Sequence, residues 1–272
     1  STSRGLGDVY KRQKIYFLFL ALAVLAGCGT DTEPAPIPVC GVISLRSERA
    51  LENTPAPKKV ARANDDAMLV YTCEAWTRDA NPRCVLHATT NGSLAAATIE
   101  IRLVPGDYDF LFWADYGKGH YTTSDLRRVT ANCTTSAADD RDAFACAKTG
   151  VTWNGGGIPV TLVRPLAKLT VQNTSEFAIG DKTVSVVYRN VPTCYDVASG
   201  ESSVPEEITL SYPSVVAGSA VVCEDFLFVP SDADTPVGVA VTVSDDSGTV
   251  TKWLDAVPLQ PNFRTNIQAT FE

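Results

Sequence analysis

Short runs of β-branched and aromatic residues, each closed by Gly, Pro, Asp or Asn, follow one another from Met68 to the end of the chain. Runs of that length with turn residues at both ends read as strands, and a chain built of many of them closes as a sandwich or a barrel. The clearest case is residues 237–243 followed by 249–254. The connection Ser244-Asp245-Asp246-Ser247-Gly248 supplies the Asp and Gly of a tight hairpin. Residues 98–104 alternate in part, turn at Pro105-Gly106-Asp107, and continue as the aromatic run Tyr108-Asp109-Phe110-Leu111-Phe112-Trp113-Ala114. Residues 68–73, 84–88, 158–163, 167–172, 183–188 and 220–229 read the same way. A helical turn or two is expected only over residues 138–147. The expected fold class is all-β.

Ahead of that body, residues 15–26 form an apolar run without a charge. A helix that spans a bilayer needs roughly 20 such residues, so this run has the length of a signal-peptide core. It ends in Leu25-Ala26-Gly27-Cys28. Small residues let the backbone enter a peptidase cleft, and a thiol at the first mature position accepts a diacylglycerol. The tetrapeptide resembles the bacterial lipobox, which makes Cys28 the expected lipidation site. Asp8-Val9-Tyr10-Lys11-Arg12-Gln13 matches one reading frame of a common transposon-library sequencing adapter. Residues 1–13 are therefore set aside as an assembly scar, and residues 1–27 as scar plus lipoprotein signal. Residues 28–39 are acidic and proline-rich and are expected to form an extended tether. Asp31 and Glu33, just after the cysteine, resemble the export signal that carries Bacteroidota lipoproteins outward. The expected location is the outer face of the cell outer membrane, held by the N-terminal lipid.

From Cys28 onward 245 of the 272 residues remain, enough for one large β domain or two smaller ones. Of 23 basic and 31 acidic residues, 19 and 30 lie in that part, a net charge of −11. Such a surface repels nucleic acid, whose affinity comes from basic side chains on phosphates. Cys28 apart, seven cysteines remain: Cys40, Cys73, Cys84, Cys133, Cys146, Cys194 and Cys223. An exported chain keeps disulfides, and sequence does not fix their pairing; the local pairs Cys73–Cys84 and Cys133–Cys146 are the simplest expectation. No pair has the spacing of a zinc knuckle, and no metal or other cofactor is expected.

No nucleophile elbow, paired-His metal motif or dinucleotide fingerprint is present, and two histidines leave the usual general base scarce. No enzyme activity is expected. Gly155-Gly156-Gly157 precedes a strand, not the helix whose amides would cradle phosphate, and reads as a turn. It also marks the best internal boundary, giving halves 40–157 and 158–272. His120 reads as a surface-loop residue. Asp139-Asp140-Arg141-Asp142 reads as a solvated loop or helix start, and Asp232, Asp234, Asp245 and Asp246 as turn residues rather than calcium ligands. Trp113 and Tyr116 are a conceivable sugar-stacking platform, with buried core and strand end the default for such residues.

Several separated stretches come in a characteristic order. They are the aromatic run through Tyr116, Asp140-Arg141-Asp142-Ala143-Phe144, Arg164-Pro165-Leu166-Ala167-Lys168-Leu169 and Val191-Pro192-Thr193-Cys194-Tyr195-Asp196-Val197-Ala198-Ser199-Gly200. Phe226-Leu227-Phe228-Val229-Pro230 and Pro258-Leu259-Gln260-Pro261-Asn262-Phe263-Arg264-Thr265-Asn266-Ile267 complete the series. Together, over residues 60–272, they resemble the fimbrillin-like surface lipoproteins of Bacteroidales, relatives of type V pilus subunits. The resemblance implies two tandem transthyretin-like (Ig-like) β-sandwiches and a role as structural subunit, anchor or tip in a fimbrium that serves adhesion. It also implies a mechanism: a trypsin-like protease removes an N-terminal strand after an arginine, and a strand from the next subunit fills the groove. Here the candidate removable strand is Cys40-Gly41-Val42-Ile43-Ser44-Leu45, with Arg46, Arg49 and Arg62 as candidate cut sites. Other pilus-like subunits, met by donor-strand exchange, are then the partners. The many cysteines depart from the polymerising pattern. A glycan-binding surface lipoprotein is the alternative, and it requires exposed aromatic residues on a sandwich face.

Overall fold

The aromatic run at residues 108–114 becomes a strand with both faces buried. Phe110, Phe112 and Ala114 point into one core and Leu111 and Trp113 into another, which is why the run is continuous rather than alternating. The computed structural model describes residues 36–52, 67–133, 140–178, 180–231 and 236–271. Cys28, the signal run, the tether up to residue 35, Arg62, Asp139, Asp232 and Asp234 lie outside the described residues.

The first sandwich is made of β1 (Val39–Ser47), β2 (Met68–Thr77), β3 (Cys84–Ser93), β4 (Ala97–Leu103) and β5 (Gly106–Asp115), with β8 (Ala143–Trp153) and β9 (Gly156–Leu162) added later in the chain. One sheet runs β3-β2-β5-β8 and the facing sheet β4-β1-β9. Between them lie Ile43, Leu45, Tyr71, Ile99, Ile101, Phe110, Phe112, Trp153 and their neighbours. The glycine triplet thus turns β8 into β9, and β9 closes the first sandwich. The chain then passes to the second at Val163-Arg164-Pro165.

The second sandwich sets a three-stranded sheet, β13 (Val221–Phe228), β10 (Leu166–Asn173) and β16 (Arg264–Ala269), against a larger one. That larger sheet holds β15 (Gly248–Val257), β14 (Val237–Asp245), β11 (Thr183–Asp196), β7 (Val129–Ala131) and β6 (Tyr121–Thr122), with β12 (Glu201–Tyr212) also paired to β11. The hairpin read from sequence is present as β14–β15. Asp245 Oδ1 accepts from the amides of Ser247 and Gly248 and so shapes its turn. A separate core, with Val171, Val186, Tyr188, Leu210, Val239 and Val241, fills this sandwich.

A third cluster, built on Leu111, Trp113, Leu126, Ala143, Ala145, Leu166, Phe226 and Phe228, packs the outer face of the β2-β5-β8 sheet against elements of the second sandwich. It explains one correction. A helical turn is expected over residues 138–147, yet Asp140 and Arg141 form a turn and Ala143 opens β8. Ala143 and Ala145 face this third cluster while Phe144 faces the first core, and that two-residue alternation suits a strand and defeats a helix. The helical element among the described residues is instead the three-residue 3-10 turn Leu126–Arg128, capped by Asp125, whose carboxylate accepts from the Arg127 amide at 2.9 Å.

Candidate functional site

Residues 39–47 include Val39, Val42, Ile43 and Leu45, residue types suited to a strand, and β1 has a partner on each side. Residues 39–45 of β1 pair antiparallel with β4, and residues 41–47 pair parallel with β9. Alternation then puts Ile43 and Leu45 into the core, both almost fully buried, and leaves Cys40, Val42, Ser44 and Arg46 on the outer face. The first strand among the described residues is therefore the middle member of its sheet. Without it, β4 and β9 would each present an unpaired edge above an open stripe of core, the arrangement that most favours capture of another strand.

The exit of β1 is tied down by buried charge. Arg164, on the crossover between the sandwiches, grips Asp142 with a two-point fork, Nε to Oδ1 at 2.6 Å and Nη2 to Oδ2 at 2.7 Å. Its remaining donors reach Asn262 Oδ1 at 2.7 Å and the carbonyl of Arg49 at 2.9 Å. The guanidinium also lies over the rings of Phe144 and Phe226. Burial pushes the Asp142 carboxyl up, and the bonds from Arg164 oppose that rise. Asn262 adopts a positive φ of 61°, tolerable for Asn, so one turn can offer its side chain to Arg164 and its carbonyl to the Glu52 amide. One side chain thus joins the chain just past β1, the start of β8 and the turn before β16.

The candidate cut sites differ in this setting. Arg46 lies inside β1, in register with Thr161, and its Nε donates to Thr161 Oγ1. Arg49 lies beyond the strand and is exposed, but its carbonyl, the one a protease must polarise, is held by Arg164.

Comparison with known proteins fixes the family. One family profile matches residues 41–271, from the third residue of β1 onward, and its family is described as one of unknown function, DUF6562. The chain belongs to the DUF6562 family. No curated protein matches it significantly. Among solved structures, a candidate adhesin from Bacteroides ovatus ATCC 8483 superposes with a TM-score of 0.50 at 9% identity, covering 91% of this chain and 98% of the other. A second candidate adhesin from Bacteroides ovatus gives 0.52 at 10% identity, covering 89% and 91%. At such identities the likeness is one of fold.

Elsewhere in the DUF6562 chain, charged residues read as solvated turn out to be buried. Arg141 pairs with Asp225 at 3.0 Å with both side chains almost wholly enclosed. Asp225 also accepts from the Tyr212 hydroxyl, which in turn meets the hydroxyl of Tyr188. Burial raises the Asp225 carboxyl, and Arg141 is the largest opposing influence. His120, expected on a surface loop, is instead mostly enclosed, its Nε2 3.1 Å from Asp140 Oδ1. His87 bonds Glu74, a buried carboxylate that also accepts from Trp76 Nε1 and the Leu126 amide. No group of three or more His, Cys, Asp or Glu side chains comes together to hold a metal among the described residues. Trp113 is fully buried, Tyr116 partly so, and the exposed tryptophan is Trp253.

The strand registers separate the cysteines. Cys73 faces Ala88 across the β2–β3 pair while Cys84 faces Trp76, and Cys133 and Cys146 pack against different cores. All the described thiols are free. Burial raises the thiols of Cys73 and Cys223, which keeps them protonated and unreactive. Alkylation of the native protein followed by peptide mass mapping should therefore modify Cys40 and Cys84, the exposed pair, well before Cys73, Cys194 and Cys223. The buried three should react only on unfolding.

Proposed function

We propose that this protein is a lipid-anchored cell-surface component of a fimbrium-like assembly that takes a partner's strand in place of its own first strand. The observation that carries the reading is the position of β1: N-terminal in sequence, central in its sheet, and followed at once by an exposed arginine. The lipobox-like Cys28, the order of motifs shared with fimbrillin-like lipoproteins, and a fold like that of two candidate adhesins from a Bacteroidota genus support it. On this reading the lipid at Cys28 holds the chain on the outer membrane, proteolysis past β1 loosens the strand, and a neighbouring subunit's strand replaces it by β-addition.

The test is treatment of the full chain with an arginine-specific protease, followed by mass spectrometry, electron microscopy and crosslinking. Cleavage is expected beyond β1 and not at Arg46, where the backbone is paired on both sides. Release of β1 should then produce polymers or capture of an added subunit's strand. Cleavage that yields neither removes the mechanism.

A second reading, glycan binding, has one specific observation in its favour. Trp253 is about half exposed (53%) on the outer face of the β14–β15 pair, with the guanidinium of Arg189, paired to Glu207 at 2.9 Å, lying over its ring 4.6 Å from the centroid. The hydroxyl pairs Thr242–Thr251 and Ser244–Thr249 lie along the same strands. An exposed ring flanked by hydrogen-bonding groups suits a pyranose.

A further inference from the structure

Gly41 occupies a place in the first sandwich that no other residue fits. In the sheet it stands between Ile101 of β4 and Gly156 of β9. A Cβ built on Gly41 would lie 2.8 Å from Cζ2 of Trp153, and closer still to Cη2 of the same ring and to the carbonyl oxygen of Gly156. Real Cβ atoms do not approach other atoms so nearly, so one of these groups would have to move. Neither is free to. Trp153 is 2% exposed and packs against Phe110 with ring centroids 6.0 Å apart. The Gly156 carbonyl is backbone, in a residue whose φ of 102° belongs to glycine alone.

Resting on the strand-replacement reading above, we propose that this contact selects the incoming strand: the slot accepts only a segment with glycine at the position Gly41 now fills. The next two inward positions are those of Ile43 and Leu45, buried in the core. The outward positions, held by Val42 and Ser44, meet solvent and impose little. The ligand is thus an extended segment of the form Gly-x-aliphatic-x-aliphatic, each aliphatic being Val, Ile or Leu, lying parallel to β9. In this chain that pattern occurs at residues 41–45 and again at Gly156-Gly157-Ile158-Pro159-Val160, which is β9 itself. A second copy can therefore offer only its own β1, and any other donor is a different chain that carries the motif.

The experiment has two arms. In the first, the arginine-cleaved full chain is titrated with fluorescent peptides of residues 39–47, Cys40→Ser throughout, carrying Gly41, Gly41→Ala, Gly41→Val or the outward control Val42→Thr. The Gly41 and Val42→Thr peptides should bind alike. Gly41→Ala should bind about tenfold more weakly or worse, and Gly41→Val should not bind detectably. Equal binding of the Gly41 and Gly41→Ala peptides overturns the inference. In the second arm Gly41→Ala and Val42→Thr are made in the uncleaved chain and melted. A fall in Tm for Gly41→Ala alone supports the glycine requirement, and an unchanged Tm overturns it even if no peptide binds. Failure of every peptide together with a lowered Tm for Gly41→Ala counts against strand replacement instead, so the two ideas fail separately.

Discussion

Arg164→Ala should be among the most damaging single substitutions in this protein, lowering stability by about 3–5 kcal/mol and Tm by about 10 °C. The size follows from what is left behind. Asp142 would keep its buried carboxylate and lose both arms of the fork, and Asn262 and the Arg49 carbonyl would each lose a donor. An uncompensated buried charge costs far more than a buried pair contributes, so Arg164→Met with Asp142→Leu should recover much of the loss. Chemical unfolding with a near-constant denaturant slope would read both. The single variant should also depend on pH in a defined sense. With Arg164 gone, burial acts on Asp142 unopposed by its main partner and its carboxyl rises further. A group whose folded-state value is raised binds its proton more tightly in the folded protein. The variant is therefore least damaged below the ordinary carboxylate range and loses stability as pH rises through the folded value. Untying the Arg49 carbonyl should, in addition, speed arginine-specific cutting there. If Arg164→Ala melts as the parent does, the hub contributes nothing and the tie on β1 is an accident of packing.

The strands were legible wherever a sequence run carried its own instructions. Residues 237–254 announce a hairpin because alternation and an Asp-Gly turn act locally. β12 escaped notice because Pro205, Glu206 and Glu207 look like loop; the structure tolerates them because this strand pairs with β11 alone and is exposed over that stretch. The buried ion pairs were illegible for a different reason. Arg141 and Asp142 sit in an acidic stretch that a local reading assigns to solvent; Asp225 reaches Arg141 from β13 of the second sandwich, and Arg164 reaches Asp142 beside the Ala145–Val163 bridge. The stretches that resemble fimbrillin-like lipoproteins did contain Asp142, Arg164 and Asn262, so the residues were in view without their roles. β1 was reached through the resemblance alone, and its central place was not legible, because β4 and β9, which make it central, lie far along the chain.

The two tryptophans that invite thoughts of sugar should respond to truncation in opposite ways. Trp113→Ala is expected to cost about 3–5 kcal/mol, because Trp113 is fully buried where the two sandwiches meet. Its ring packs on Tyr121, Tyr195 and Phe228 at centroid distances of 5.2, 6.2 and 6.3 Å, and its Nε1 donates to Asp115 at 2.8 Å. Asp115, already raised by burial, would lose one of the donors that hold it down. No sugar reaches such a ring. Trp253→Ala should change stability by no more than about 0.5 kcal/mol, since half of that side chain faces water and its Arg189 neighbour keeps Glu207. Affinity electrophoresis through gels containing bacterial or host polysaccharides then separates the two readings of function. Retardation of the parent protein that is lost in Trp253→Ala, with the melting curve unmoved, would establish the glycan platform. Equal migration of parent and variant in every gel would remove it.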